Sequence, residues 1–193
     1  MSTLTIKKED AVLIAIDFQE KLMQGMQGKD QLEEFMARLV KGCRVLGVPI
    51  LVTQQYTKGL GPTTEKITEA LTCEISETLP AADFTPIEKT TFSAMKESDF
   101  VKALSETGRK TVIITGMETH ICVQQTALDL ISAGYDVFGA LDCMSSRTTE
   151  NKEFGQIRMT QSGVIVTGYE SVLFEMLSDA KDASFKQISS IVK

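Results

Sequence analysis

The sequence is punctuated by short, unbroken apolar runs, and the first of them, Ala11 to Ile16 (AVLIAI), stops abruptly at Asp17. A run without polar alternation reads as a strand buried on both faces, as in a parallel sheet sandwiched between helices. Similar runs recur at Pro49 to Thr53, Thr111 to Thr115, Tyr135 to Leu141 and Gly163 to Thr167, with a weaker candidate at Phe84 to Glu88. Between them, Leu32, Phe35, Met36, Leu39, Val40, Cys43 and Leu46 fall on one helical face, and Gly47 and Pro49 end that helix. Further helices are expected from Thr119 to Ala133 and from Thr148 or Thr149 to Gly163, with a short one at Glu65 to Ile75. Lys58 to Ala82, broken by Gly59, Gly61, Pro62 and Pro80, reads as a long surface connection, and residues 178–193 as a short amphipathic helix or tail. Strands alternating with helices give βαβ units, hence an α/β fold with a parallel sheet covered on both sides.

A chain of 193 residues, 42% of them hydrophobic, is long enough for one sizeable core, so a single domain over residues 1–193 is expected. The net charge of -6 argues against a nucleic-acid backbone binder, which normally carries a basic face. No stretch approaches the roughly 18 to 20 consecutive apolar residues of a membrane span, and the start, MSTLTIKKED, has no apolar signal core. A cytoplasmic protein without membrane contact is therefore expected. Cys43, Cys73, Cys122 and Cys143 are scattered singly and His120 is the sole histidine, so free thiols are expected and a structural zinc site is not. Lys58 to Thr64 lacks the order of a phosphate loop, which leaves nucleotide binding weakly supported.

In open α/β sheets, functional groups gather beyond the carboxyl ends of the strands. Asp17 stands there, although a loop aspartate capping a turn is the bland alternative. Lys89 follows the weak strand and precedes Thr90, Thr91 and Phe92; most lysines are simply solvated. Cys122 lies near the start of a helix after the turn Gly116 to Ile121. Unpaired amides and the helix dipole would favour its thiolate there and would also bind an oxyanion. The alternative is a small buried hydrophobe. His120, two residues before the cysteine on a turn, is poorly placed as its base and reads better as a satisfied loop or pocket-lining residue.

Taken together, an Asp at the end of strand one, a Lys after a later strand and GxExxxC opening a helix resemble the isochorismatase-like hydrolases. The resemblance runs over nearly the whole chain and is strongest to the isochorismatase domain-containing branch, through VTQQYTKGLGPT, KTTFSA, GMETHICVQQTALDL and DCMSSRTTENKEFGQIRMTQSG. It implies a three-layer α/β/α sandwich with a six-stranded parallel sheet ordered 3-2-1-4-5-6. It also implies that Asp17 accepts the thiol proton of Cys122, that Lys89 holds Asp17, and that Cys122 attacks. A cis peptide between Met117 and Glu118 is implied as well, aiming the N–H groups of Glu118 and Cys122 at an oxyanion. Phe18, Gln54, Gln55, Tyr56, Phe92 and Ile121 are the expected substrate-binding residues.

Two departures narrow the chemistry. Metal-binding relatives such as nicotinamidases use an Asp and histidines after strand two, where this chain has Gln54-Gln55-Tyr56, so no metal or other cofactor is expected. True isochorismatases typically lack the nucleophilic cysteine, which this chain keeps. Hydrolysis of a carbon–nitrogen bond in a small amide through a thioester is the implied activity, with an idle binding or scaffolding subunit as the alternative. A homo-oligomer is expected from the family's habit. Because Lys89 and the helix lower the Cys122 pKa while an ionised Asp17 raises it, Asp17 and Cys122 are expected to share one proton.

Overall fold

The computed structural model describes residues 5–193. Along the chain run β1 (Ala11–Ile16), α1 (Glu20–Met23), α2 (Lys29–Val45), β2 (Ile50–Gln55), α3 (Thr57–Leu60), α4 (Glu65–Thr72) and β3 (Ile87–Lys89). They are followed by α5 (Ser98–Glu106), β4 (Thr111–Met117), α6 (Gln124–Ser132), β5 (Asp136–Ser145), α7 (Thr149–Gln161), β6 (Ile165–Thr167), α8 (Tyr169–Leu177) and α9 (Phe185–Val192). Among the described residues the strands form one six-stranded sheet in the order β3-β2-β1-β4-β5-β6, every pair parallel.

The apolar runs become the middle of this sheet because both its faces are covered. β1 and β4 are buried at every position. Alternate residues of β1 serve two cores: Leu13 and Ala15 pack with α2, α8 and α9, whereas Val12, Ile14 and Ile16 pack with α5 and α6. Each fully buried Leu or Ile side chain stabilises such a core by about 1.5–3 kcal/mol.

The chain departs from its sequence pattern in four places. The short helix expected within Lys58 to Ala82 forms as α4, but it buries Ile67, Ala70 and Leu71 in the α2-side core instead of lying in a surface connection. β3 includes Lys89 instead of ending before it. β5 runs on to Ser145, past the last apolar residue of its run, because its polar end still pairs with β4 through Gly116↔Met144 and Met117↔Ser145. The helix expected from Thr119 is divided into a π-helical turn, Thr119–Val123, and then α6.

Gly116 controls how the functional end of the sheet closes. It pairs with Ile16 at φ 130, and a Cβ there would collide with the Ile16 carbonyl oxygen. Only glycine adopts that backbone without strain. The ends of β1 and β4 are thereby drawn together, which brings Asp17 close to the turn that bears Cys122.

Candidate active site

Asp17 leaves β1 with φ 55, in the left-handed region that aspartate tolerates better than most side chains. Its N–H still donates to Thr53 O at 3.2 Å, so the chain turns without losing its tie to β2. The carboxylate faces inward. Thr53 Oγ1 donates to Oδ1 at 2.7 Å, and Lys89 Nζ lies 2.7 Å from Oδ2, with both side chains 0% exposed.

A buried ammonium needs more than one partner. Lys89 Nζ also donates to Gln55 Oε1 at 2.6 Å and to the carbonyls of Thr91 and Phe92, each at 3.2 Å. Gln55 is itself held, donating from Nε2 to Thr90 O at 2.8 Å. Its backbone N–H donates to Gln19 Oε1 at 2.7 Å, and the Gln19 amide in turn bridges Gln55 O and Gly61 O. The lysine is therefore fixed by a frame that runs across β1, β2 and β3.

Cys122 completes the group from within the π-helical turn, where Val123 N donates to Glu118 O at 3.3 Å across five residues. Cys122 is 6% exposed, and its thiol interacts electrostatically with both Asp17 and Lys89. The peptide between Met117 and Glu118 is cis. The turn is pinned from two sides. Glu118 Oε2 accepts from Arg147 N and Nε, both at 3.0 Å, and His120 Nδ1 lies 3.0 Å from Ser146 Oγ. Below it, α7 packs so closely that a Cβ on Gly155 would meet His120 Cα at 2.8 Å.

The electrostatics differ from the expectation that the helix start and Lys89 would favour the thiolate. Burial is the largest effect on Cys122, followed by the Asp17 charge, and together they push the thiol up to about 12 against the opposing pull of Lys89. The dipole argument fails because the thiol lies inside a tight turn packed in the core, not at an open helix end. Burial also raises Asp17, with Lys89, Thr53 and Cys122 opposing it. Both groups hold protons more firmly than in water.

Asp17, Lys89 and Cys122 thus converge, while the expected substrate-binding residues divide. Phe18 is fully buried in the core on the α2 side, across the sheet from Cys122, and is not at the mouth of the site. Gln54 is buried too, and its amide is spent on Thr63 Oγ1 at 2.9 Å and Thr57 Oγ1 at 3.0 Å. Gln55 holds Lys89. Tyr56 and Phe92 remain 57% and 55% exposed beside the lysine frame, and half-buried Ile121 neighbours the thiol. Met117 ends β4 fully buried. Thr53 and Gln19 had no expected role, although Gln19 stands beside Asp17 at the end of β1 and a hydroxyl ending the apolar run PILVT is a readable signal for a carboxylate partner. Among the described residues no group of three or more His, Cys, Asp or Glu side chains is arranged to hold a metal ion. Nor is any described helix long and apolar enough to cross a membrane.

The chain is similar to several known proteins. Isochorismatase domain-containing protein 1 of Danio rerio is 35% identical over 184 residues, covering 95% of this chain, which spans only 61% of that relative's length. Isochorismatase domain-containing protein 2 of Xenopus laevis is 32% identical over 96% of this chain and 84% of its own. A solved structure, the MAR1 ribonuclease from Caenorhabditis elegans, superposes with a TM-score of 0.87 at 31% identity, covering 97% of this chain and 92% of that one. The isochorismatase domain itself matches residues 11–171, from the first residue of β1 into α8, and so takes in the whole sheet and every side chain of the buried cluster: the chain belongs to the isochorismatase family.

Proposed function

We propose that this protein is a cysteine hydrolase that cleaves the carbon–nitrogen bond of a small amide through a thioester on Cys122. The observation that carries this reading is one buried thiol that interacts electrostatically with a carboxylate and an ammonium lying 2.7 Å apart, both shut away from solvent. Asp17 takes the thiol proton as sulfur attacks the amide carbon. The N–H groups of Glu118 and Cys122 receive the developing oxyanion. Protonated Asp17 then gives its proton to the departing nitrogen, leaving a thioester and a free amine or ammonia. Water enters, Asp17 takes one of its protons, and hydrolysis releases the carboxylic acid and restores the thiol.

The high resting pKa of Cys122 fits this sequence. An isolated thiolate would be costly here, so proton transfer is coupled to attack on a bound carbonyl, and the unoccupied site stays unreactive. Lys89 offsets part of the burial that raises Asp17, favouring its ionised form. No step requires a metal or other cofactor. Tyr56, Phe92 and Ile121 form the rim past which the substrate enters.

The C. elegans relative's name points to RNA cleavage, but a thiol only 6% exposed on a chain of net charge -6 favours a small, uncharged substrate. The alternative of an idle binding subunit rests on the same fold without turnover. Ammonia release from a panel of small carboxamides, with Cys122→Ala and Asp17→Asn as controls, separates the two. Turnover abolished in both variants supports the hydrolase; no release from any amide in the panel by the unaltered protein favours the binding subunit.

A further inference from the structure

A cleft of about 370 Å³ opens at the carboxyl end of β5, between the starts of α2 and α7. Its walls include Leu32, Phe35 and Met144, and its polar lining includes Asp142, Thr149 and Lys152. The size is that of a pocket for one small molecule.

Asp142 and Lys152 are half-buried and interact electrostatically, yet among the described residues no ion pair joins them and Lys152 Nζ has no hydrogen-bond partner. Asp142 accepts from Tyr169 N at 2.9 and 3.1 Å, which holds the start of α8 and leaves each carboxylate oxygen a further lone pair. Loss of water is the largest effect on both groups, raising the Asp142 carboxyl against its bonds from Tyr169 and Cys143 and lowering the Lys152 ammonium against the attraction of Asp142. Opposite charges in one cleft, unjoined and beside an apolar wall, suit a ligand that carries both signs on a small apolar body. A plain carboxylate would meet Lys152 but face Asp142; a plain amine would do the reverse.

We infer that this cleft binds a zwitterionic, apolar α-amino acid, with its carboxylate on Lys152, its ammonium on Asp142 and its side chain against Leu32, Phe35 and Met144. The site does not depend on the chemistry proposed for Cys122.

Titration calorimetry of the full chain with L-leucine, L-methionine and L-phenylalanine tests this, alongside isovalerate and isopentylamine, which keep one charge each. Saturable binding of at least one amino acid is expected, with each single-charge analogue weaker than L-leucine by about tenfold or more. Asp142→Asn also disturbs the start of α8, so Lys152→Met carries the test, with circular dichroism confirming its fold. It should weaken amino-acid binding by about tenfold or more, and Lys152→Arg should restore part of the loss. Absence of saturable binding to all three amino acids, isovalerate binding as tightly as L-leucine, or unchanged affinity in a folded Lys152→Met protein would each overturn the inference.

Discussion

Lys89 reaches Asp17 across an intervening strand: Nζ lies 2.7 Å from Oδ2 although β3 and β1 are separated by β2. The ammonium is therefore held both by the carboxylate at its far end and by Gln55 from the strand it crosses. Removing one member of a buried pair is costlier than removing both, because the survivor stays charged and dry. Lys89→Met should lose about 3–5 kcal/mol of stability in denaturant unfolding, and the double variant Asp17→Asn/Lys89→Met should regain much of it. Equal stability of Lys89→Met and the unaltered protein would contradict the pairing.

Gln55 is a positioning residue on this account. Gln55→Met keeps its bulk but deletes the acceptor 2.6 Å from Lys89 Nζ. A loss of about 1–3 kcal/mol is expected from the under-satisfied ammonium. If the proposed hydrolysis is correct, kcat should fall while KM for a small amide changes little, and Gln55→Glu should not reproduce the same pH profile. A fall confined to KM would instead assign Gln55 to substrate contact.

Buried thiols make stability sensitive to alkali. The folded state keeps the Cys122 proton up to about 12, against an ordinary 9.0, so between those values it binds more protons than the unfolded chain. That contribution is intact below the unfolded pKa and is lost as pH rises through the folded one, by about 1.4 kcal/mol per pH unit per thiol. Cys43 and Cys143, raised by burial, act in the same direction. Denaturant midpoints measured up a pH series above 9.0 should decline less steeply in Cys122→Ala than in the unaltered protein. Parallel declines would mean that Cys122 is more solvated than its 6% exposure implies.

Self-association is proposed from the outer surface. Phe154 and Ile157 lie exposed one turn apart on α7, and Val166 and Phe174 are exposed on β6 and α8. Light scattering at micromolar concentration should report a multiple of the 21.2 kDa chain, and a charged residue at Phe154 should shift it toward the monomer. A monomeric mass for the unaltered protein would remove the proposal.

The middle of the sheet was legible because β1 and β4 are buried on both faces and therefore spell themselves out as unbroken apolar runs. α5 and α8 were not foreseen: α5 presents few buried positions, and α8 follows β6 after only Gly168, so its apolar residues merge with the strand's. The convergence of Asp17, Lys89 and Cys122 was read through resemblance, not through local pattern, in which each had an ordinary explanation. The burial of Phe18 and Gln54 was not legible, because adjacency to Asp17 and Gln55 in sequence says nothing about which side of a strand end a side chain takes. The opposing pulls of Asp17 and Lys89 on the thiol were legible, but its burial was not, because a turn recognised from sequence carries no information about its depth.

Gly155 sets backbone against backbone where α7 meets the turn that bears Cys122. Side chains between two elements act as a compliant layer, shifting rotamers to absorb small displacements. Here that layer is missing. The outer face of α7, where Phe154 and Ile157 are presented, is thus joined to the turn that bears Cys122 by direct backbone contact, and a bulkier residue at position 155 would force the two apart.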